Sequence, residues 1–107
     1  MIFLDRLPNN IKASVKCRLD KIKTIDGVEK VIIFGSFAKG TNTPSSDLDV
    51  AVFFNTEEPI LIEQYRTLSK ICTCSEIDIQ VQAFSIVELI NPCGIIEEIA
   101  RYGLEYG

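Results

Sequence analysis

The sequence predicts an α/β (α+β) fold in which helices cover one face of a small mixed β-sheet. Apolar side chains recur at helical spacing over residues 10–24, and four consecutive apolar residues stand at 31–34. Alternation of side chains between two faces follows over residues 47–54. Helical and strand periods therefore alternate along the chain, and its 107 residues fit one domain, 1–107.

The first half of the chain is predicted to form a helix, a strand, a helical turn and a second strand. Asn10 caps the helix over 10–24, and Gly27 breaks it. The unbroken apolar run in the strand over 28–34 is typical of a central strand covered on both faces. A short helical segment lies within 35–43, before the strand over 47–54. That strand directs one set of side chains to each face, namely Leu48, Val50, Val52 and Phe54 against Asp47, Asp49, Ala51 and Phe53.

The second half is predicted to form a helix, a third strand and two further helices. The helix begins near Pro59, and its buried stripe comprises Leu61, Tyr65, Leu68 and Cys72. The strand over 76–82 alternates between apolar residues and polar ones such as Asp78. Ser85 and Glu88 form a capping box, and Gly103 ends the last helix, which starts at Asn91 and Pro92. Because strands two and three each bear acids on one face, we expect that sheet face to lie open.

Composition excludes several classes of function. The formal net charge is −4 and the 11 Lys and Arg residues are spread along the chain, so direct sequence-specific nucleic-acid binding is not expected. The sequence contains no histidine, which excludes Ser–His and Cys–His catalysis. The four cysteines lack zinc-site spacing, and we expect them to be reduced and mostly buried. No apolar run could cross a membrane, so a cytoplasmic location is expected.

The basic residues of the first helix have two interpretations. Lys12, Lys16 and Lys23 lie near one another, away from the apolar stripe of that helix. Such a pattern is typical of a solvated helix face, and it also fits a docking surface for an acidic partner.

A group of carboxylates carries the predicted chemistry. Asp47 and Asp49 share a strand face because residues i and i+2 point the same way, and Asp78 joins them if strand three neighbours strand two. Three close carboxylates repel one another unless cations neutralise them. Mg²⁺ is the natural cation, and two such ions roughly 4 Å apart can stabilise both oxygens of an in-line phosphoryl displacement.

Gly35 and Ser36, at the end of strand one, are predicted to hold a phosphate group. Glycine lets backbone N–H groups approach an anion closely, and the helical segment behind it directs its positive end there. The Ser36 hydroxyl can add a hydrogen bond. Lys39 lies one turn further on, where it is either a phosphate contact or an ordinary solvated lysine.

These motifs resemble the signature of the DNA polymerase beta-type nucleotidyltransferase superfamily. Gly35-Ser36 is followed by Asp47-x-Asp49 after ten residues, as in that signature, and Asp78 matches the third acid on a later strand. The sequence is most similar to the minimal nucleotidyltransferases (MNT). The resemblance implies a polymerase beta-like palm fold, two Mg²⁺ ions on Asp47, Asp49 and Asp78, and triphosphate binding at Gly35 and Ser36. Many relatives carry a basic residue or tyrosine in place of Phe37, which removes one phosphate contact.

The resemblance also implies a reaction and a partner. Minimal nucleotidyltransferases are commonly paired with a small helical HEPN protein, a ribonuclease toxin. We therefore expect transfer of AMP from ATP, or of NMP from another NTP, to a tyrosine of that toxin, with this chain as the antitoxin. Two alternatives stay open: a non-catalytic antitoxin that neutralises its partner by binding, or an enzyme that modifies an aminoglycoside-like small molecule. The sequence is compatible with a homo- or hetero-oligomer and does not fix the oligomeric state.

Overall fold

The computed structural model describes residue 7 and residues 9–41, 47–57, 60–72 and 77–106. The α-helices in this part of the chain are α1 (Asn9–Lys23), α2 (Ser36–Lys39), α3 (Ile62–Cys72) and α4 (Ile95–Tyr102). The strands are β1 (Val28–Phe34), β2 (Leu48–Phe54), β3 (Ile79–Ser85) and β4 (Leu104–Glu105), and a 3₁₀ helix covers Ile86–Leu89. The predicted fold class, a mixed sheet with helices, is confirmed.

The four strands form one mixed sheet in the order β3-β2-β1-β4. The central strand β1 runs antiparallel to both β2 and β4, whereas β2 and β3 run parallel. The unbroken apolar run of β1 is explained by this central position, since all four residues of 31–34 are buried. Strand three neighbours strand two, as the carboxylate hypothesis requires.

One face of the sheet packs against α1 and α3 and forms the larger core. The alternation predicted for β2 places Leu48, Val50, Val52 and Phe54 on this face, all buried. The stripe of α1 meets them, with Val15, Leu19 and Ile22 buried as expected. At the C-terminus, Tyr106 closes this core: its backbone N–H donates to the Val31 carbonyl, and its hydroxyl donates to Asp20 of α1.

The opposite face is not open along its whole length, contrary to expectation. Ile99 of α4 packs against Ala51 and Phe53 of β2, and a second core forms there with residues of β1 and the 3₁₀ helix. Along β2, acidic residues stand only at the start of this face. The later residues on the same face are apolar, and their burial away from water is favourable. Helices therefore lie on both faces of the sheet.

Several predicted boundaries are wrong. β3 begins at Ile79 rather than at 76 and continues to Ser85, and the short strand β4 was not expected. In α3, Leu68 and Cys72 are buried, but Leu61 just before it is 63% exposed and Tyr65 is 41% exposed. Tyr65 instead reaches the sheet edge, where its hydroxyl donates to the Ala83 carbonyl at 3.1 Å.

The remaining predictions concern caps, thiols and membrane segments. The capping box of Ser85 and Glu88 is confirmed at the 3₁₀ helix. Cys72 is buried, but Cys17 and Cys93 are exposed, so the expectation of mostly buried thiols is wrong for them. Pro59 and Cys74 lie outside the described residues. Among the described helices, none has the length and apolar character needed to cross a bilayer.

Candidate functional site

The backbone at Gly35 makes a turn that only glycine adopts readily. β1 ends at Phe34, and Gly35 then takes φ 72° and ψ −150° before α2 begins at Ser36. This region of backbone space is essentially restricted to glycine. Phe37 anchors the turn, because its side chain is buried in the larger core.

The carboxylate of Asp49 lies directly against this glycine. Phe34 of β1 pairs with Asp49 of β2 in the antiparallel register, which brings the Asp49 side chain beside Gly35. A Cβ atom added at Gly35 would overlap Oδ2 of Asp49 and would lie 3.2 Å from its Cγ. The two motifs identified in the sequence, Gly-Ser and Asp-x-Asp, are therefore in contact through Gly35 and Asp49.

Asp47 and Asp49 form a pair of mutually repelling carboxylates. The pKa of Asp49 is raised above its usual range, first by burial and then by the negative charges of Asp47 and Glu98. Asp47 itself is exposed, one residue before β2. The pair therefore lies at the mouth of the site, with one carboxylate partly buried and one in solvent.

Asp78 occupies the equivalent place on the neighbouring strand. It immediately precedes β3, and its carbonyl accepts a hydrogen bond from the Leu48 N–H at 2.8 Å. Its side chain is exposed. Within the described ranges, no three His, Cys, Asp or Glu side chains converge on a point where they could hold a metal ion. The structure thus brings Asp47 and Asp49 together and places Asp78 beside them without joining it to a three-acid cage.

The acid pair fits Mg²⁺ by the chemistry of its donors. Mg²⁺ in phosphoryl-transfer sites is bound by one or two carboxylates together with substrate phosphates, and it keeps several waters. Asp47 and Asp49 supply two hard oxygen donors beside a turn suited to phosphate. The raised pKa of Asp49 marks a negative charge that a cation would stabilise.

Lys39 is paired with a residue that was not predicted from the sequence, and that residue also acts on Asp49. Its Nζ contacts Oε1 of Glu98 on α4, and it lies 5.4 Å from the ring centroid of Tyr102. The ion pair with Glu98 raises the pKa of Lys39. Glu98 had no signal in the sequence, because α4 lies far from the two motifs along the chain and reaches them only through its packing on the sheet.

Comparisons with known proteins give the family and the fold of this chain. The family model described as a nucleotidyltransferase domain matches residues 16–103. The fold is similar to the crystal structure of a candidate nucleotidyltransferase from Sulfolobus solfataricus, with a TM-score of 0.63 and 15% sequence identity over 90% of this chain and 84% of that one. A search of curated protein sequences gave no match. The chain therefore belongs to the nucleotidyltransferase domain family, whose model covers most of its length.

Proposed function

Because the chain belongs to the nucleotidyltransferase domain family, we propose that it transfers AMP from ATP to a hydroxyl group of a separate protein. The observation that carries the proposal is that the Asp49 carboxylate lies against Gly35, with Asp47 beside it. A carboxylate pair that holds Mg²⁺ beside a triphosphate at the Gly35 turn would support metal-assisted phosphoryl transfer.

The proposed step exchanges a phosphoanhydride bond for a phosphate ester bond. The acceptor oxygen forms a bond to the α-phosphorus of the nucleotide, the bond from that phosphorus to the β-phosphate breaks, and pyrophosphate leaves. Mg²⁺, when bound at Asp47 and Asp49, would neutralise the phosphate oxygens and orient them for this displacement. Ser36 would donate a hydrogen bond to the triphosphate at the Gly35 turn. Asp78 would face the acceptor and take its hydroxyl proton.

The surroundings of the acid pair favour a large acceptor. Ile95, Glu98 and Tyr102 share one face of α4, since residues three and four positions apart are neighbours on a helix. Glu98 of this face meets Lys39 at the site, so Ile95 and Tyr102 flank it on either side. Both are well exposed, at 43% and 51%. Both side chains are therefore available for contact with an acceptor protein.

We further propose that the acceptor is a tyrosine of a small helical HEPN toxin and that this chain is the antitoxin. The sequence resemblance to minimal nucleotidyltransferases supports this choice. A tyrosine hydroxyl is also suited to the exposed carboxylates of Asp47 and Asp78, because its ring carries the oxygen well away from the backbone of the acceptor protein.

The test is transfer to the product of the neighbouring gene. The protein is incubated with Mg²⁺, ATP and that product, and intact masses are recorded. We expect the partner to gain one AMP, and we expect Asp47→Asn and Asp49→Asn to abolish the gain. Glu63→Gln, an exposed acid on α3, serves as the matched control and should leave transfer unchanged.

The other outcomes separate the alternatives. Tight binding to the partner with no mass gain, unaffected by Asp47→Asn, would replace the enzyme by a non-catalytic binding module. Labelled nucleotide on an aminoglycoside-like alcohol in the absence of any partner would contradict a protein acceptor.

A further inference from the structure

We propose that Glu98 is a positioning residue that holds the Lys39 ammonium at the rim of the site and releases it when a nucleotide triphosphate binds. The inference rests on the proposed function and deepens it. It assigns Lys39 two successive partners, the Glu98 carboxylate in the free protein and the phosphates in the complex.

The two residues project from rigidly held backbones. Lys39 ends α2, where its backbone N–H donates to the Gly35 carbonyl at 3.1 Å, and the buried Phe37 fixes that helical turn. Glu98 lies on α4 between Ile96 and Ile99, which are both buried. The backbone positions from which the two side chains extend are therefore fixed by the core.

The charged groups themselves are not buried. The Lys39 and Glu98 side chains are 41% and 40% exposed. Because both charged groups already contact water, separating them costs little free energy. An ion pair at such an exposure contributes little to stability, because water screens it. The Tyr102 ring adds a second weak contact to the ammonium. The pair is thus well placed to exchange.

A bound triphosphate would change the balance between the two partners. Lys39 lies three residues after Ser36, on the same helical turn that follows the Gly35 turn. Glu98 already repels the Asp49 carboxylate. Phosphates at Gly35 and Ser36 would repel Glu98 as well and attract Lys39, so Lys39 would move toward the new anion.

The experiment measures binding of Mg²⁺ with the α,β-methylene analogue of ATP, which cannot be cleaved at the bond in question. Titration calorimetry is carried out on the wild-type chain, Glu98→Gln, Lys39→Met and the double variant. We expect Glu98→Gln to tighten binding by up to about fivefold, the range of an exposed ion pair, and Lys39→Met to weaken it by a similar factor. In the double variant the gain from Glu98→Gln should largely disappear.

A matched control separates exchange from a general charge effect. Glu97 is the adjacent acid on α4, is exposed and pairs with Arg101. Glu97→Gln removes the same charge from the same helix without touching Lys39, so we expect no tightening. Equal effects of Glu97→Gln and Glu98→Gln, or a gain from Glu98→Gln that persists in Lys39→Met, would overturn the inference.

NMR spectroscopy tests the exchange in the wild-type chain, without a variant that changes the net charge. The ¹⁵N signal of the Lys39 ammonium, identified by its loss in Lys39→Arg, should shift when the analogue binds. A fixed Lys39 signal with saturable analogue binding would overturn the exchange and leave the proposed function intact. Failure of the wild-type chain to bind any common nucleoside triphosphate analogue would contradict both.

Discussion

Replacement of Gly35 by alanine should strain the backbone and displace the Asp49 carboxylate. The residue has φ 72° and ψ −150°, which a side chain rarely tolerates. The added methyl group would also overlap Oδ2 of Asp49. Because Asp49 is held on the central part of the sheet, next to β1, the overlap can be relieved only by moving its carboxylate or the turn.

The two effects can be separated by a second glycine. Gly94, before α4, has the similar conformation φ 61° and ψ −132°, but an added Cβ would meet nothing within 4 Å. Gly94→Ala should therefore incur only the backbone term, about 1–3 kcal/mol. Gly35→Ala should lower the free energy of unfolding by this amount and by a further amount caused by the overlap with Asp49. A loss of 1 kcal/mol corresponds to about 4–8 °C in Tm for a domain of roughly this size.

Activity should separate the two variants more sharply than stability. A displacement of about 1 Å at a reacting group can lower the rate about a hundredfold, so Gly35→Ala should lose at least that factor in AMP transfer. Gly94→Ala should retain most of its activity at temperatures where it is folded. The assays are thermal unfolding by circular dichroism and transfer followed by mass spectrometry.

The reasoning fails if the two alanine variants have equal Tm and equal activity. It also fails if truncation of Asp49 does not relieve the overlap. In the Asp49→Ala background the carboxylate that Gly35→Ala would strike is absent, so the stability loss caused by Gly35→Ala should shrink to the value for Gly94→Ala.

Three further predictions concern stability. The pKa of Asp49 is raised from its usual value of 3.8, so the stability that the protonated carboxyl group contributes is present in acid and is lost as the pH rises. Asp49→Asn should therefore raise the Tm at pH 7 in the absence of metal, but not at pH 3. The pKa of Tyr106 is raised from 10.0 to about 12, so urea unfolding should show stability lost between these pH values, and Tyr106→Phe should lack this loss. Ser85→Ala removes the capping hydroxyl and should lower the free energy of unfolding by about 1 kcal/mol, whereas an unchanged urea midpoint would contradict the role of the cap.

Local patterns were sufficient to predict the centre of the fold. The apolar run of β1 and the alternation of β2 each reflect burial within a single strand, and a single strand is visible in sequence. The contact between Gly35 and Asp49 does not follow from either pattern, because it depends on the pairing of Phe34 with Asp49 between two strands. Only the family resemblance linked the two motifs in advance.

The parts that could not be predicted depend on long-range packing. β4 is two residues long, too short for a period, and exists because the chain after Gly103 pairs with β1. Gly103 permits this approach: a Cβ there would overlap Ile32 and the Ile99 carbonyl, although its φ of −66° is ordinary. A turn that needs glycine for space rather than for backbone angle has no distinct sequence signature.

The role of α4 follows from where apolar and acidic residues divide along one strand. On one face of β2, Asp49 is followed at two-residue intervals by Ala51 and Phe53, so the same face changes from charged to apolar within a few ångströms. Burial of the apolar end requires Ile99, and α4 then carries Glu98 to the charged end. The second core and the Lys39 partner are therefore one consequence of this division. If this face of β2 were acidic throughout, α4 would not pack there and would not bring Glu98 to Lys39. No carboxylate of α4 would then compete with a triphosphate for the Lys39 ammonium.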